Sequence, residues 1–276
     1  MPSEGRVWFI TGSSSGFGRA LVNSARERGE RVVATARRPE AIADLAGDDV
    51  LLLPLDVTRE DAIGSALDAA VEHFGRIDVL VNNAGVGYVG ALEEMDPAEL
   101  RAVMETMFFA PAALTRAIVP RMRAQGSGAI VQISSQGGQL TAPGYSAYCA
   151  AKFALEGLSE AVAAEVAPFG VRVLIVEPGS FRTGLLGRSL RAAPPMDEYA
   201  TTVGATRAYI ESEDGSQAGD PSKAAAAIFD ALDADDPPLR LALGADAVDA
   251  IRAKHEELLA ELERWEPVAR ATAVDS

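Results

Sequence analysis

Short apolar runs alternate with longer amphipathic stretches along this chain, and that alternation limits its possible folds more than any other feature. The runs cover residues 7–11, 31–36, 50–55, 77–81, 129–134, 171–177 and 239–243. Stretches with helical periodicity lie between them, near 16–28, 59–74, 97–123, 148–167 and 221–232. Strands that alternate with helices are joined by crossovers, which places them parallel in one sheet with helices on both faces. The expected fold is therefore α/β: a doubly wound parallel sheet of about seven strands. The third helix has the clearest start, with Asp96 as N-cap, Pro97 as first helical residue and Glu99 completing a capping box.

Residues 1–245 are expected to form one domain. Within it, 183–220 is rich in Gly, Ser, Pro and charge, lacks a steady period and reads as a mobile segment over a site. Residues 246–276 read as an amphipathic helix ending near 264 and a short disordered tail, packed on the same domain. Leu258, Leu259, Leu262 and Trp265 form an apolar stripe on that helix. Core packing is the expectation for them, with a subunit contact or a lid as the alternative.

Composition removes several classes of function. A formal net charge of −15 disfavours nucleic acid and anionic membrane surfaces as partners. Cys149 is the only cysteine, so an intramolecular disulfide is impossible. Two histidines, His73 and His255, do not make a zinc cluster, and no metal is expected. Residues 1–10 lack the basic segment and long apolar stretch of a signal peptide, and no run approaches the roughly 18 apolar residues of a membrane span. A cytoplasmic location is expected.

The first strand runs into Thr11-Gly12-Ser13-Ser14-Ser15-Gly16-Phe17-Gly18, which opens a helix. Glycines permit a tight turn and close approach to a pyrophosphate, and the helix N-terminus supplies free N–H groups and the positive end of its dipole. The second strand ends at Arg37 and Arg38, where an NAD-preferring site carries an acid for the ribose 2′-hydroxyl. Two arginines and no acid point to NADP(H) over NAD(H). Asp56 and Val57 after the third strand, and Asn82, Asn83, Ala84 and Gly85 after the fourth, lie at strand carboxyl ends, where ligands collect.

Tyr148 and Lys152 are four residues apart and share a helix face. Ser135 follows a strand thirteen residues earlier. A tyrosine gives little phenolate at neutral pH, and on the order of 3–4 kcal/mol of interaction is needed to change that. An ammonium at Lys152, with an oxidised nicotinamide, can supply it. Ser135 would hold the substrate oxygen while Tyr148 exchanges its proton beside a hydride donor.

Taken together, Gly12/Gly16/Gly18, Asn82-Asn83-Ala84-Gly85, Ser135, Tyr148/Lys152 and Pro178-Gly179 resemble the short-chain dehydrogenases/reductases in order and spacing, over about residues 5–245. The resemblance implies that Ser135, Tyr148 and Lys152 are catalytic and that Lys152 also holds the nicotinamide ribose. It places Gly12, Ser14, Gly16, Phe17 and Gly18 at the phosphates, and Asp56 and Val57 beside the adenine. Asn83, Ala84 and Gly85 fall beside the adenine ribose, with Pro178, Gly179 and Thr183 near the nicotinamide. It also implies a homodimer or homotetramer, often paired through the helices near 97–123 and 148–167.

One departure stands out. Such enzymes usually carry an asparagine in the helix after the N-N-A-G segment, positioning a water that relays protons to the lysine. Here that position is Met107, and the glycine three residues later is Ala110. Asparagine occurs only at positions 23, 82 and 83. A thioether cannot replace an amide, which leaves the proton relay open.

The leading expectation is an NADPH-dependent oxidoreductase interconverting a carbonyl and a secondary alcohol. Phe181, Leu185, Leu186, Met196 and Tyr199 suggest an apolar small-molecule substrate. Two other readings stay open: a nucleotide-binding regulatory protein without redox turnover, and a dehydratase or isomerase on the same scaffold. His73 reads as a helix-end residue, His255 as solvated and Cys149 as pointing off the active face.

Overall fold

A computed structural model describes residues 5–185, 187 and 189–274. Its strands are β1 (Val7–Ile10), β2 (Arg31–Ala36), β3 (Val50–Pro54), β4 (Val79–Asn82), β5 (Gly87–Val89), β6 (Gly128–Ile133), β7 (Val171–Pro178), β8 (Leu190–Ala192) and β9 (Arg240–Leu243). The helices are α1 (Gly16–Glu27), α2 (Glu60–Phe74), α3 (Pro97–Met104), α4 (Ala110–Gln125), α5 (Ser146–Val166), α6 (Val203–Glu213), α7 (Pro221–Asp233) and α8 (Ala245–Arg270).

Seven strands form one parallel sheet in the order β3-β2-β1-β4-β6-β7-β9, which is the doubly wound architecture read from the sequence. Alternation within a strand assigns each side chain to a layer. Trp8 and Ile10 of β1 join α1 and α7 on one face, where Trp8 stacks on Phe229 with ring centroids 4.2 Å apart. Val7 and Phe9 point the other way, to Leu67 of α2 and Leu114 and Ile118 of α4. Each fully buried side chain of this size contributes roughly 1.5–3 kcal/mol.

The chain leaves β1 for β2 on one side of the sheet and later returns to place β4 on the other side. The order thus reverses between β1 and β4, and a crevice opens at their carboxyl ends. The Gly-rich turn after β1 and the Asn-Asn-Ala-Gly segment after β4 both border it.

Asp96 caps α3 as expected, accepting from Ala98 N at 2.7 Å. Glu99, expected in a capping box, instead accepts from Arg191 Nη1 at 3.1 Å. A π-helical turn over Glu105–Phe109 joins α3 to α4. The composite helix Pro97–Gln125 is long and apolar enough to cross a membrane by length and hydropathy. Its apolar side is occupied here: Val103, Met107, Leu114, Ile118 and Met122 are buried in the packed layers.

Two regions differ from expectation. The segment 183–220 carries β8, which pairs with β5 in a second, two-stranded parallel sheet, and α6, whose Val203 and Ile210 are buried against Val89 and Ala91. Short elements of three and eleven residues leave too little periodicity to register. Leu186, expected in the substrate pocket, lies outside the described residues. The second difference is α8, which extends to Arg270 and buries only Ala247. Leu258, Leu259, Leu262 and Trp265 are exposed, not packed in the core.

Candidate active site

The crevice deepens into a cavity of about 910 Å³. Gly12 and Gly16 have φ of +69° and +53°, a conformation that side chains with a Cβ rarely adopt. A Cβ on Gly12 would approach Ala84 Cα to 3.0 Å, so bare backbone lines the wall there. Ser15 takes no part in capping α1 through its side chain, and the first turn holds no acidic residue. The free N–H groups and positive dipole end of α1 therefore face the cavity, as a pyrophosphate requires.

Thr11 and Asn83 hold this loop against β4. The Thr11 hydroxyl accepts from Asn83 N and Ala84 N at 2.9 and 3.0 Å, and Asn83 Nδ2 donates to Thr11 O at 2.7 Å. Asn82 turns inward and donates to Gln132 Oε1 at 2.9 Å, so its role is structural.

Of the residues singled out from the sequence, Gly12, Ser14, Gly16, Phe17, Arg37, Asp56, Val57, Asn83, Ala84, Gly85, Ser135, Tyr148, Lys152, Pro178, Gly179 and Thr183 all line the cavity. Gly18 and Arg38 are not among its lining residues. A Cβ on Gly18 would lie 2.4 Å from Gly12 O and 2.5 Å from Asn83 Nδ2, so this glycine is required by packing behind the loop. Arg38 precedes a short helical turn and is exposed; Arg37 is the arginine at the cavity edge. Phe17 packs on Phe181 with ring centroids 5.1 Å apart, and Thr183 sits directly over Gly16.

At the other end, β6 delivers Ser135 and the first turns of α5 deliver Tyr148 and Lys152. Ser135 Oγ accepts from Gly137 N at 3.0 Å, which fixes its rotamer, and it shares the surroundings of Gly137 with the Tyr148 ring. Gly137 must be small, because a Cβ there would lie 3.0 Å from Tyr148 Cε1. Lys152 Nζ donates to Ile133 O at 2.7 Å and stands 5.9 Å from the Tyr148 ring centroid.

Burial dominates both titrations. It pushes Tyr148 up to about 12 against the opposing Ser135 hydrogen bond. It brings Lys152 down to about 8, against the opposing attraction of Glu156. The expectation from the sequence is for Tyr148 with an oxidised nicotinamide beside Lys152, whereas burial raises its pKa in the protein alone. With the protein's own groups alone, Tyr148 is a protonated donor at neutral pH and Lys152 is mostly charged.

Cys149, expected to point away, lines the cavity near Gly137, and burial raises its thiol pKa. A buried, protonated thiol is a poor nucleophile. His73 packs edge-on against Phe74 at the end of α2, and His255 is exposed on α8. Met107 is buried in the π turn, which brings Ala102, Glu105, Thr106 and Met107 all to the cavity wall.

Behind Ser135, Tyr148 and Lys152 lies a polar cluster the sequence reading missed. Glu156, one turn beyond Lys152, accepts from Ser134 Oγ and Gln139 Nε2 and pairs with Arg240. Glu177, next to Pro178, accepts from Gln139 Nε2 at 2.9 Å and Arg240 Nη1 at 2.6 Å. Arg240 also reaches Glu160 at 2.8 Å. One guanidinium thus bridges two buried carboxylates and ties the ends of β6 and β7 to α5. Burial and the nearby Glu156 raise the Glu177 pKa, against Arg240 and Gln139. The four-residue spacing of Lys152 and Glu156 was a readable signal; nothing local marked Arg240. Asp246 of α8 was also missed, and its carboxylate accepts from Ser180 N at 2.7 Å beside Gly179.

A family model described as short chain dehydrogenase matches residues 6–193. A short-chain dehydrogenase from Streptomyces avermitilis is 50% identical with a TM-score of 0.93, covering 99% of this chain and 100% of its own. A short chain dehydrogenase/reductase from Burkholderia phymatum, solved in complex with NAD, is 25% identical with a TM-score of 0.83 over 95% and 96%. A short chain dehydrogenase from Burkholderia cenocepacia, solved in complex with NADP, is 27% identical with a TM-score of 0.75 over 96% and 98%.

Replacing Arg240 with Leu leaves Glu156 and Glu177 facing each other without their cation. The expected loss of stability is about 3–5 kcal/mol above neutral pH. A carboxylate whose folded pKa is raised takes up a proton in the native state as pH falls, so the deficit shrinks toward pH 5. Urea unfolding at pH 8 and pH 5 checks this, and an equal deficit at both values would contradict it.

Proposed function

The chain belongs to the short-chain dehydrogenase family, and we propose that within it the protein reduces the carbonyl of a small, largely apolar substrate with NADPH. The observation that carries this reading is the convergence of Ser135, Tyr148 and Lys152 on one cavity that the Gly-rich turn after β1 also lines.

The residues present fit a nicotinamide dinucleotide. Backbone at Gly12 and Gly16 and the uncapped start of α1 would hold the pyrophosphate. Asp56 and Val57 would hold the adenine, and Asn83, Ala84 and Gly85 its ribose. Pro178, Gly179 and Thr183 would border the nicotinamide, and Lys152 its ribose. When bound, the cofactor supplies the hydride. Relatives in complex with NAD and with NADP are both known, so the preference for NADPH rests on this chain alone. Arg37 stands at the cavity edge where β2 ends, and no acid accompanies it there. Its guanidinium suits a 2′-phosphate.

Ser135 Oγ orients the substrate oxygen. The Tyr148 hydroxyl donates its proton to that oxygen as negative charge develops on it. The Lys152 ammonium stabilises the phenolate that remains, within a site where burial strengthens the attraction. Tyr148 in its protonated form is the form able to donate in reduction. Leu140, Ala142, Tyr145 and Leu185 line the remaining volume and make it suit an apolar substrate.

The buried Met107 thioether favours a second reading, a protein that binds NADPH without turnover, since it cannot anchor a relay water through an amide. Steady-state oxidation of NADPH against a panel of ketones and aldehydes separates the two. Carbonyl reduction predicts turnover by wild type that falls about 10²–10⁴-fold in Tyr148→Phe, with NADPH binding retained. A wild type that binds NADPH yet stays silent on every carbonyl would favour the binding protein. Arg37→Asp is expected to raise KM for NADPH at least about tenfold while lowering KM for NADH. Unchanged cofactor selectivity would remove Arg37 from the 2′-phosphate site.

A further inference from the structure

The distal part of α8 is an apolar surface without a partner among the described residues. The helix is anchored at its first turn, where Asp246 holds Ser180 N and Ala247 is buried. From Arg252 onward every described residue is exposed except the half-buried Lys254. Leu258, Leu259, Leu262, Trp265 and Val268 are 45–64% exposed. Helix stability in proteins comes mostly from packing an apolar face.

Three of these residues, Leu258, Leu262 and Trp265, belong to a longer series along α8, which Leu259 and Val268 flank, and its spacing indicates what covers them. Val248, Ile251, His255, Leu258, Leu262, Trp265 and Ala269 follow one another at intervals of three, four, three, four, three and four. This is the a/d pattern of a coiled-coil seam, whose natural complement is another helix with the same repeat. A lid over the cavity of the same chain is disfavoured by reach. At 1.5 Å per residue, Leu258 lies roughly 16 Å beyond Ala247 and Val268 roughly 32 Å beyond it, so folding back would break the helix. An anionic bilayer is disfavoured by Glu256, Glu257, Glu261, Glu263 and Glu266.

We propose that the distal part of α8 pairs antiparallel with the same segment of a second copy of this chain. Charge complementarity selects the orientation. In a parallel pair, Glu261 at position g would face the partner's Glu266 at position e, and this repulsion would occur twice. In the antiparallel pair centred near residue 260, Arg252 faces the partner's Glu266 at both ends. Leu258 then meets the partner's Leu262, and His255 meets the partner's Trp265. The central Glu261 side chains approach each other, but each keeps Arg264 of its own helix 3.8 Å away. Within one chain, Arg252 and Glu266 are held only by exposed intrahelical pairs, with Asp249 and Arg270, and these are weak enough to exchange. Such a pair is isologous: the same patch serves both copies about a two-fold axis.

Cysteine cross-linking in the full-length protein tests both the contact and its direction. Chains carrying Leu258→Cys and Leu262→Cys, with distinguishable tags, are purified, mixed and mildly oxidised. The antiparallel seam predicts a covalent heterodimer in the mixture and little product from either variant alone. Cross-linking of each variant on its own would indicate a parallel pair and overturn the proposal, as would no cross-linking in any sample. Wild type is the control for Cys149, which is buried. A charge swap adds an independent readout in the same cysteine backgrounds. Arg252→Glu should abolish the cross-linked band, and adding Glu266→Arg should restore it; equal bands in all three would overturn the pairing.

Discussion

Lys152 is an ammonium held away from water, and much of the architecture around it serves to keep that charge where it is. Burial alone favours the neutral amine and brings its pKa down to about 8. Three features oppose complete loss of the proton. The Ile133 carbonyl accepts from Nζ at 2.7 Å, Glu156 lies one turn further along the same helix face, and Arg240 pairs with both Glu156 and Glu177. Burial likewise raises Tyr148 to about 12, so the hydroxyl keeps its proton at neutral pH. A protonated donor and a retained cation thus follow from one cause, the packing of protein around the start of α5.

That base is built by the fold and not by any one segment. β6 places Ser134 and Ser135, β7 places Glu177 and Pro178, and α5 crosses both. Arg240 on the edge strand β9 and Asp246 at the start of α8 reach inward from the far end of the chain, to Glu177 and to Ser180. The C-terminal elements thereby join the end of the cavity that holds Ser135, Tyr148 and Lys152, while the reversal of strand order between β1 and β4 makes the end lined by the Gly-rich turn. Met107 occupies the position where the family resemblance implies an asparagine, yet the π turn still brings its neighbours Glu105 and Thr106 to the wall.

The parts of this molecule legible in the sequence are those encoded by local spacing. Seven apolar runs became the seven strands of the main sheet, and the Gly12/Gly16 turn and the Ser135, Tyr148 and Lys152 set converge on one cavity. Gly18 was legible as a glycine but not in its role, since only the fold shows Asn83 and the Gly12 carbonyl pressed against it. The β5–β8 pair and α6 went unread because three- and eleven-residue elements are joined only by long-range contact. The burial of Tyr148 and Lys152 went unread for a related reason: sequence neighbours reveal charge, whereas burial is set by the whole fold. On α8 the apolar stripe was visible, but periodicity states that a face is apolar and not what covers it.

The most direct test of a proton supplied by Tyr148 under the control of Lys152 is the pH dependence of single-turnover carbonyl reduction with NADPH bound. Lys152 is charged below its pKa of about 8 and neutral above it. Carbonyl reduction through this pair therefore predicts a rate that is level at lower pH and falls as pH rises through that region. A rate independent of pH from 6 to about 10, across the range in which Lys152 discharges, would contradict it.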